Sequence, residues 1–226
     1  MPAIPNVILV HGAWADGSSW SKVIPLLTEK GLAVTAVQLP LISYEADVGA
    51  VRRAIARAEG EVVLVGHSYG GAVIGQAGND PKVTRLVYID AFAPDAGESA
   101  GMLFSQFQSA PLGAELRPDE EGFLKLSRAG AFDLFAQDLD DAERAIVYAT
   151  QGPINGAALG GTLSEAAWRT RPTFYLIGDR DHAIPPAEQA MMAARMGATV
   201  AHVDSSHVPM LSQPKAVADF ILGAAG

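Results

Sequence analysis

The run Glu61-Val62-Val63-Leu64-Val65 passes directly into Gly66-His67-Ser68-Tyr69-Gly70 and then into Gly71-Ala72-Val73-Ile74-Gly75-Gln76-Ala77, with no residue to spare for a loop. A continuous β-branched run reads as a strand buried on both faces, and the small residues after it read as a tightly packed helix. Joining the two so abruptly forces strand and helix almost into contact. Glycines two residues to either side of Ser68 remove the side chains that would collide there, and the serine at the apex must take a strained backbone conformation. A chain with this junction is committed to strands alternating with helices, and it lifts one serine hydroxyl above the C-terminal edge of the sheet.

The remaining sequence follows the same rhythm. Strands are expected at about Asn6–Val10, Ala33–Gln38, Glu61–Val65, Thr84–Asp90, Thr173–Ile177 and Thr199–Val203, apolar enough to be buried on both faces. Between them Trp20, Val23, Ile24, Leu26 and Leu27, and then Val48, Val51 and Ile55, recur at helical spacing, with Gly31 and Gly60 as C-terminal stops. Pro185-Pro186 opens a further helix and Pro214 to Leu222 reads as a closing one. The fold class is therefore α/β, a mostly parallel sheet of about six strands flanked by helices.

One stretch breaks the pattern. From about Pro94 to Arg171 no strand is evident, yet the segment is too long for a plain loop. Apolar groups at Met102-Leu103-Phe104 and Phe107, at Phe123-Leu124 and Leu126, at Phe132, Leu134 and Phe135, and from Ala142 to Tyr148 read as short helices. The expected organisation is a core of residues 1–93 and 172–226 with a helical cap, residues 94–171, inserted over the edge where open α/β sheets bind ligands.

Composition narrows the partners. A net charge of −9 with no basic cluster argues against nucleic acid or an anionic membrane surface. The absence of cysteine excludes disulfides and thiolate metal sites. Met1-Pro2-Ala3-Ile4-Pro5 carries no basic leader and Val7 to Val10 is too short for a signal or a membrane span, so a soluble, cytoplasmic protein is expected. Oligomeric state is left open, a homodimer included.

A serine nucleophile needs a base and a group to orient that base, and on folds with such an elbow they follow in the order serine, acid, histidine. His207 suits the base because Ser205-Ser206-His207-Val208-Pro209 joins the last strand to the last helix at the C-terminal edge. His11 and His67, flanked by glycine, read as turn-shaping residues, His202 as a strand residue, and His182 as a competitor beside a carboxylate the triad needs more. For the acid, Asp181 lies far enough into Gly178-Asp179-Arg180-Asp181-His182 to reach the histidine, while Asp179 suits a turn or a pair with Arg180, and Asp90 ends a neighbouring strand and stays in contention. No compact His-x-x-x-His or similar spacing marks a metal site, and serine chemistry needs neither metal nor cofactor.

The oxyanion formed in acyl transfer needs two preorganised N–H donors, one following the nucleophile and one from the loop after an early strand. Tyr69 and Ala13, the latter within His11-Gly12-Ala13-Trp14, occupy those positions. Trp14, Met102, Leu103, Phe104 and Phe107 are candidates for an apolar substrate pocket, and the cap carries no basic clamp, so a neutral small-molecule ester is the expected substrate.

These motifs, with the downstream Trp20 and the terminal His207 loop, resemble the compact α/β-hydrolases that include plant methyl-ketone and methyl-ester hydrolases, hydroxynitrile lyases and bacterial carboxylesterases. The resemblance spans nearly the whole chain and implies Ser68, Asp181 and His207 as a triad with the Ala13 and Tyr69 amides as oxyanion hole. It also implies alternatives, cyanohydrin cleavage or ligand reception on the same scaffold. Lyases of this family place lysine after the catalytic histidine. Here that residue is Val208, which counts against the lyase.

Overall fold

The computed structural model describes residues 6–106 and 110–226. Six strands form one sheet: β1 (Asn6–Val10), β2 (Ala33–Val37), β3 (Val62–His67), β4 (Val83–Ile89), β8 (Thr173–Gly178) and β9 (Thr199–Val203). Their order is β2-β1-β3-β4-β8-β9 and all five pairings are parallel. The central β3 is buried at every residue, as its unbroken apolar sequence requires. Burial on both faces does not extend to the edges. Ala33, Thr35, Thr199 and Val200 are exposed, because β2 and β9 have a neighbour on one side only.

The order also fixes where the helices go. Right-handed crossovers put α1 (Ile24–Glu29) on one face as the chain steps from β1 outward to β2. The chain then reverses, so α2 (Tyr44–Arg57), α3 (Tyr69–Ala77) and α7 (Pro186–Met196) take the opposite face, where α2 packs on α3. The closing α9 (Pro214–Ala225), reached through the short α8 (Pro209–Ser212), returns to pack beside α1. The reversal lies between β1 and β3, and ligands collect at such a switch point. Val10 pairs with Gly66 there, which brings His11-Gly12-Ala13-Trp14 beside the turn holding Ser68.

Between β4 and β8 the inserted segment carries α4 (Ala100–Gln106), α5 (Asp141–Thr150) and α6 (Gly156–Gly160), with a π-helical turn over Gly130–Phe135. It also contains a three-stranded antiparallel sheet, β5 (Leu116–Pro118), β6 (Phe123–Leu126) and β7 (Ile154–Asn155). Phe123 to Leu126, expected to be helical, is thus a strand. The reason lies just before it: Asp119 Oδ1 accepts the N–H groups of Glu121 and Phe123, and Gly122 takes φ 80°, so Pro118-Asp119-Glu120-Glu121-Gly122 closes a hairpin.

Candidate active site

Ser68 sits at the start of α3 with φ 54° and ψ −124°, a conformation that costs about 1–3 kcal/mol and persists only where its surroundings over-determine it. They do so here. Its N–H donates to the Ile89 carbonyl (3.3 Å), and its own carbonyl accepts from Gly71 (3.0 Å) and Phe92 (3.1 Å). A side chain at Gly66 would place its Cβ 2.7 Å from the Gly70 carbonyl oxygen, and one at Gly70 would lie 2.6 Å from that of His11. Both glycines are therefore required by contact, as the elbow sequence implies.

The loop after β1 is held by His11, whose Nε2 accepts the Leu39 N–H (3.0 Å) while Nδ1–H donates to the Gly12 carbonyl (2.8 Å). Burial lowers its pKa and keeps the ring neutral, which this donor–acceptor pattern needs. Ala13 and Tyr69 line the same cavity as Ser68, and among the described residues neither backbone N–H is paired with a protein acceptor. The Tyr69 side chain turns away into the core, where its hydroxyl donates to Asp47 (2.8 Å).

His207 and Asp181 meet across the ends of β8 and β9: Nδ1 donates to Oδ2 at 2.7 Å, with both side chains buried. Asp181 is fully engaged. Its Oδ1 accepts the N–H groups of Ala183 (2.7 Å) and Ile184 (3.0 Å), and Oδ2 also accepts Nε2–H of Gln189 (2.8 Å). With Nδ1 committed, Nε2 is the nitrogen His207 can offer in the cavity it lines with Ser68. His67 steadies this loop by donating Nε2–H to the His207 carbonyl (2.7 Å). Burial, reinforced by the His207 ring, drives the His67 pKa well below its ordinary value, so it remains neutral.

The other sequence candidates fall apart from this pair. His182 is exposed, and the exposed His202 bonds Asp179 (2.8 Å), leaving Arg180 to Asp138 (3.9 Å) and Asp204. Asp90 is buried beside Asp181, its Oδ1 accepting the Gly178 N–H (2.5 Å). Asp90, Asp181 and His207 are the one group among the described residues whose spacing could admit a metal ion, with donor atoms within 4.8 Å of one another. Nδ1 of His207 and both Asp181 oxygens are, however, already spent on hydrogen bonds.

Two residues of the inserted segment belong to the site without any sequence motif to mark them. Asp138 accepts both the N–H (2.9 Å) and the Oγ–H (2.5 Å) of Ser206, next to His207. Burial alone would raise its pKa, yet these bonds carry it below the usual value, so it stays ionised. Gln137 donates to the Arg180 carbonyl (2.7 Å), next to Asp181.

Ser68 and His207 open into an inner cavity of about 50 Å³ whose walls include Trp14, Phe92, Phe104 and Leu112. Leu103 is buried off this wall, Met102 is half exposed, and Phe107 lies outside the described residues. A larger groove of about 250 Å³ runs between α5 and the loop after β1. Trp14 faces both spaces and is pinned by Nε1–H to the Leu124 carbonyl (2.9 Å), while Phe135, on the groove side, packs its ring 4.9 Å from that of His207.

Sheet order and elbow place the molecule in a class, the α/β hydrolases. Comparison with known families agrees: residues 7–220 match the alpha/beta hydrolase family, to which the chain belongs. It is 27% identical to Methylesterase 1 of Arabidopsis thaliana, over 96% of this chain and 94% of the relative. It is 29% identical to the pyrethroid hydrolase of Sphingobium wenxiniae, over 96% and 86%. Among solved structures, a pyrethroid hydrolase from Sphingobium faniae superposes with a TM-score of 0.85 at 25% identity, over 99% of this chain and 98% of the other. Among the described residues no helix is long and apolar enough to cross a membrane.

Proposed function

We propose that the protein is a serine carboxylesterase acting on a neutral, largely apolar small-molecule ester. Ser68 is the nucleophile, His207 the general base and acid, Asp181 the carboxylate that orients it, and the Ala13 and Tyr69 N–H groups the oxyanion hole. The observation that carries this reading is the buried 2.7 Å bond from His207 to Asp181, with His207 lining one cavity with a serine held on a strained elbow.

Ser68 Oγ attacks the ester carbonyl as its proton passes to Nε2 of His207, and the two amides receive the developing oxyanion. Asp181 holds the imidazole in its Nδ1–H tautomer and stabilises the cation. Collapse expels the alcohol, protonated by His207, and leaves an acyl-enzyme. Water, deprotonated by the same nitrogen, then releases the acid and restores Ser68. Protein groups and water complete the cycle.

The inner cavity suits the smaller arm of the substrate and the groove beyond Trp14 the larger, with residues 94–171 acting as a cap over a core of 1–93 and 172–226. The groove's one lysine, Lys22, is already paired with Glu143, which favours an uncharged ligand. Ester chemistry is further supported by the names of the relatives. Cyanohydrin cleavage would leave a cyanide anion next to the base, but Val208 there is buried and apolar, and Lys215 is exposed and bonded to Asp219 (2.6 Å).

The test is turnover of p-nitrophenyl esters of increasing acyl length, with mandelonitrile included, by wild type and Ser68→Ala. Ester hydrolysis that disappears in the variant, without mandelonitrile cleavage above the buffer rate, is the expected result. Ester turnover untouched by Ser68→Ala would overturn the nucleophile, and Ser68-dependent release of benzaldehyde would make the protein a lyase.

A further inference from the structure

Asp47, Val51 and Ile55 follow one another at four-residue spacing on the buried side of α2, the helix that packs on α3. An apolar residue would suit the first of these positions as it does the other two, because a buried carboxyl is costly unless its oxygens are hydrogen-bonded. Both of them are. Oδ1 accepts the Leu41 N–H (2.8 Å), and Oδ2 accepts the hydroxyl of Tyr69 (2.8 Å), the residue after Ser68. Burial, and then the neighbouring Asp47, push the Tyr69 phenol far above its usual range, so it keeps its proton and remains the donor.

The Tyr69 N–H shares a peptide plane with the Ser68 carbonyl, which is held by the N–H groups of Gly71 (3.0 Å) and Phe92 (3.1 Å). On the other side of that N–H, the Tyr69 Cα carries a side chain whose tip is fixed on Asp47. The plane is gripped at both ends.

Leu41 is itself anchored. It takes φ 58°, a conformation that a non-glycine residue keeps only where its surroundings hold it, and its carbonyl accepts the Asn155 N–H (2.8 Å) from β7 of the inserted segment. Two residues earlier, the Leu39 N–H donates to His11 Nε2 (3.0 Å), and His11 Nδ1–H holds the Gly12 carbonyl (2.8 Å), which shares a peptide plane with the Ala13 N–H. One short loop, Leu39-Pro40-Leu41, thus reaches both amides that line the cavity with Ser68: Ala13 through His11, and Tyr69 through Asp47.

We propose that Asp47 is a positioning residue for the oxyanion hole, tying the Tyr69 hydroxyl to the Leu39-Pro40-Leu41 loop so that the Tyr69 and Ala13 N–H groups are set from one anchorage. The inference rests on the esterase reading, in which those two amides receive the oxyanion. Asp47 touches neither substrate nor reacting atom and acts through Tyr69. Donors aimed at the oxyanion act in the transition state more than in the ground state, so loosening one should lower kcat and spare KM.

Tyr69→Phe removes the hydroxyl and leaves the ring. It should lower kcat for p-nitrophenyl esters about tenfold with KM within about twofold, and should weaken an aryl trifluoromethyl ketone, which forms an oxyanion adduct with a serine nucleophile, by about the same factor. Asp47→Leu should match it, and adding Tyr69→Phe to Asp47→Leu should cost nothing further. Asp47→Asn should stay within about threefold of wild type, because Oδ1 still accepts the Leu41 N–H and the new amide can donate to the Tyr69 oxygen. Tyr69→Phe that raises KM with kcat intact, or that leaves kcat and ketone affinity within about twofold of wild type, would overturn the proposal.

The backbone amide of residue 69 in proton–nitrogen correlation spectra separates this role from the esterase reading. Its resonance should move in Asp47→Leu and return close to the wild-type position in Asp47→Asn; where Asp47→Leu does not fold, Tyr69→Phe, which keeps the core volume, serves instead. A wild type without ester turnover would overturn the esterase reading and leave the amide to decide the positioning. An amide that stays in place when the tether is cut would overturn the positioning role even in an active esterase.

Discussion

In the core, the principal site residues hang from strand ends whose neighbours are set by sheet register, whereas the inserted segment reaches the same site through side chains on irregular backbone. Ser68 and Ala13 are adjacent because Val10 pairs with Gly66. Asp181 and His207 follow the parallel neighbours β8 and β9. The inserted segment instead supplies Asp138 and Gln137, which clamp the residues preceding His207 and Asp181, and the Leu124 carbonyl, which pins Trp14. One region carries the groups assigned to chemistry and the other aligns and encloses them. Changes in the first should abolish turnover, and changes in the second should reduce or redirect it.

The largest effect expected is from Ser68→Ala, about 10,000-fold or more in kcat with the fold retained, read by ester turnover and circular dichroism. Asp181→Asn follows. It should cost about 1,000- to 10,000-fold, because an amide can hold the imidazole in the wrong tautomer, and a loss under tenfold in steady-state kinetics would detach Asp181 from the reaction.

Asp138→Ala is the cap counterpart. It leaves the N–H and Oγ–H of Ser206 without their acceptor, so kcat should fall about tenfold and stability by about 1–3 kcal/mol in urea unfolding. A loss as large as that of Asp181→Asn would erase the distinction between aligning and reacting groups. Asp138→Asn, which keeps one acceptor oxygen, should recover part of the activity.

How much of this could be read from the sequence follows the same division. The six sheet strands and the elbow were legible because each is a local pattern, an apolar run or glycines at fixed offsets, whereas the order β2-β1-β3-β4-β8-β9 is set by pairing between distant segments and carries no local mark. The small antiparallel sheet was harder because its strands are two to four residues long and half exposed, too short for periodicity to separate strand from helix. Its one local signal was the turn at Pro118-Asp119-Glu120-Glu121-Gly122. Asp138 left no signal, since one carboxylate among the 25 acidic residues is distinguished only by meeting Ser206 from 68 residues away. The sequence favours Asp181 over Asp90 on loop reach alone, since both lie just past strand ends; that Asp181 bonds His207 and the Ala183 and Ile184 N–H groups is visible only in three dimensions.

A smaller effect should appear in the pH dependence of stability. His67 and His11 have lowered pKa values in the fold, whereas the unfolded chain binds protons at both near pH 6.5, about the ordinary value. The unfolded state therefore takes up more protons as pH falls below that value. Stability present above it is lost progressively on acidification toward the folded values. Thermal unfolding from pH 7 to 5 should show a falling Tm, and His67→Gln, which keeps a donor for the His207 carbonyl without the titration, should flatten the curve.

The central claim, that a serine on the core's elbow is the nucleophile, is tested most directly by reaction with a fluorophosphonate followed by mass mapping of the adduct. The account predicts a single phosphonylated residue, Ser68, formed at a rate that falls in Asp181→Asn and absent from Ser68→Ala. Labelling of another residue, or ester turnover that survives full modification of Ser68, would contradict it.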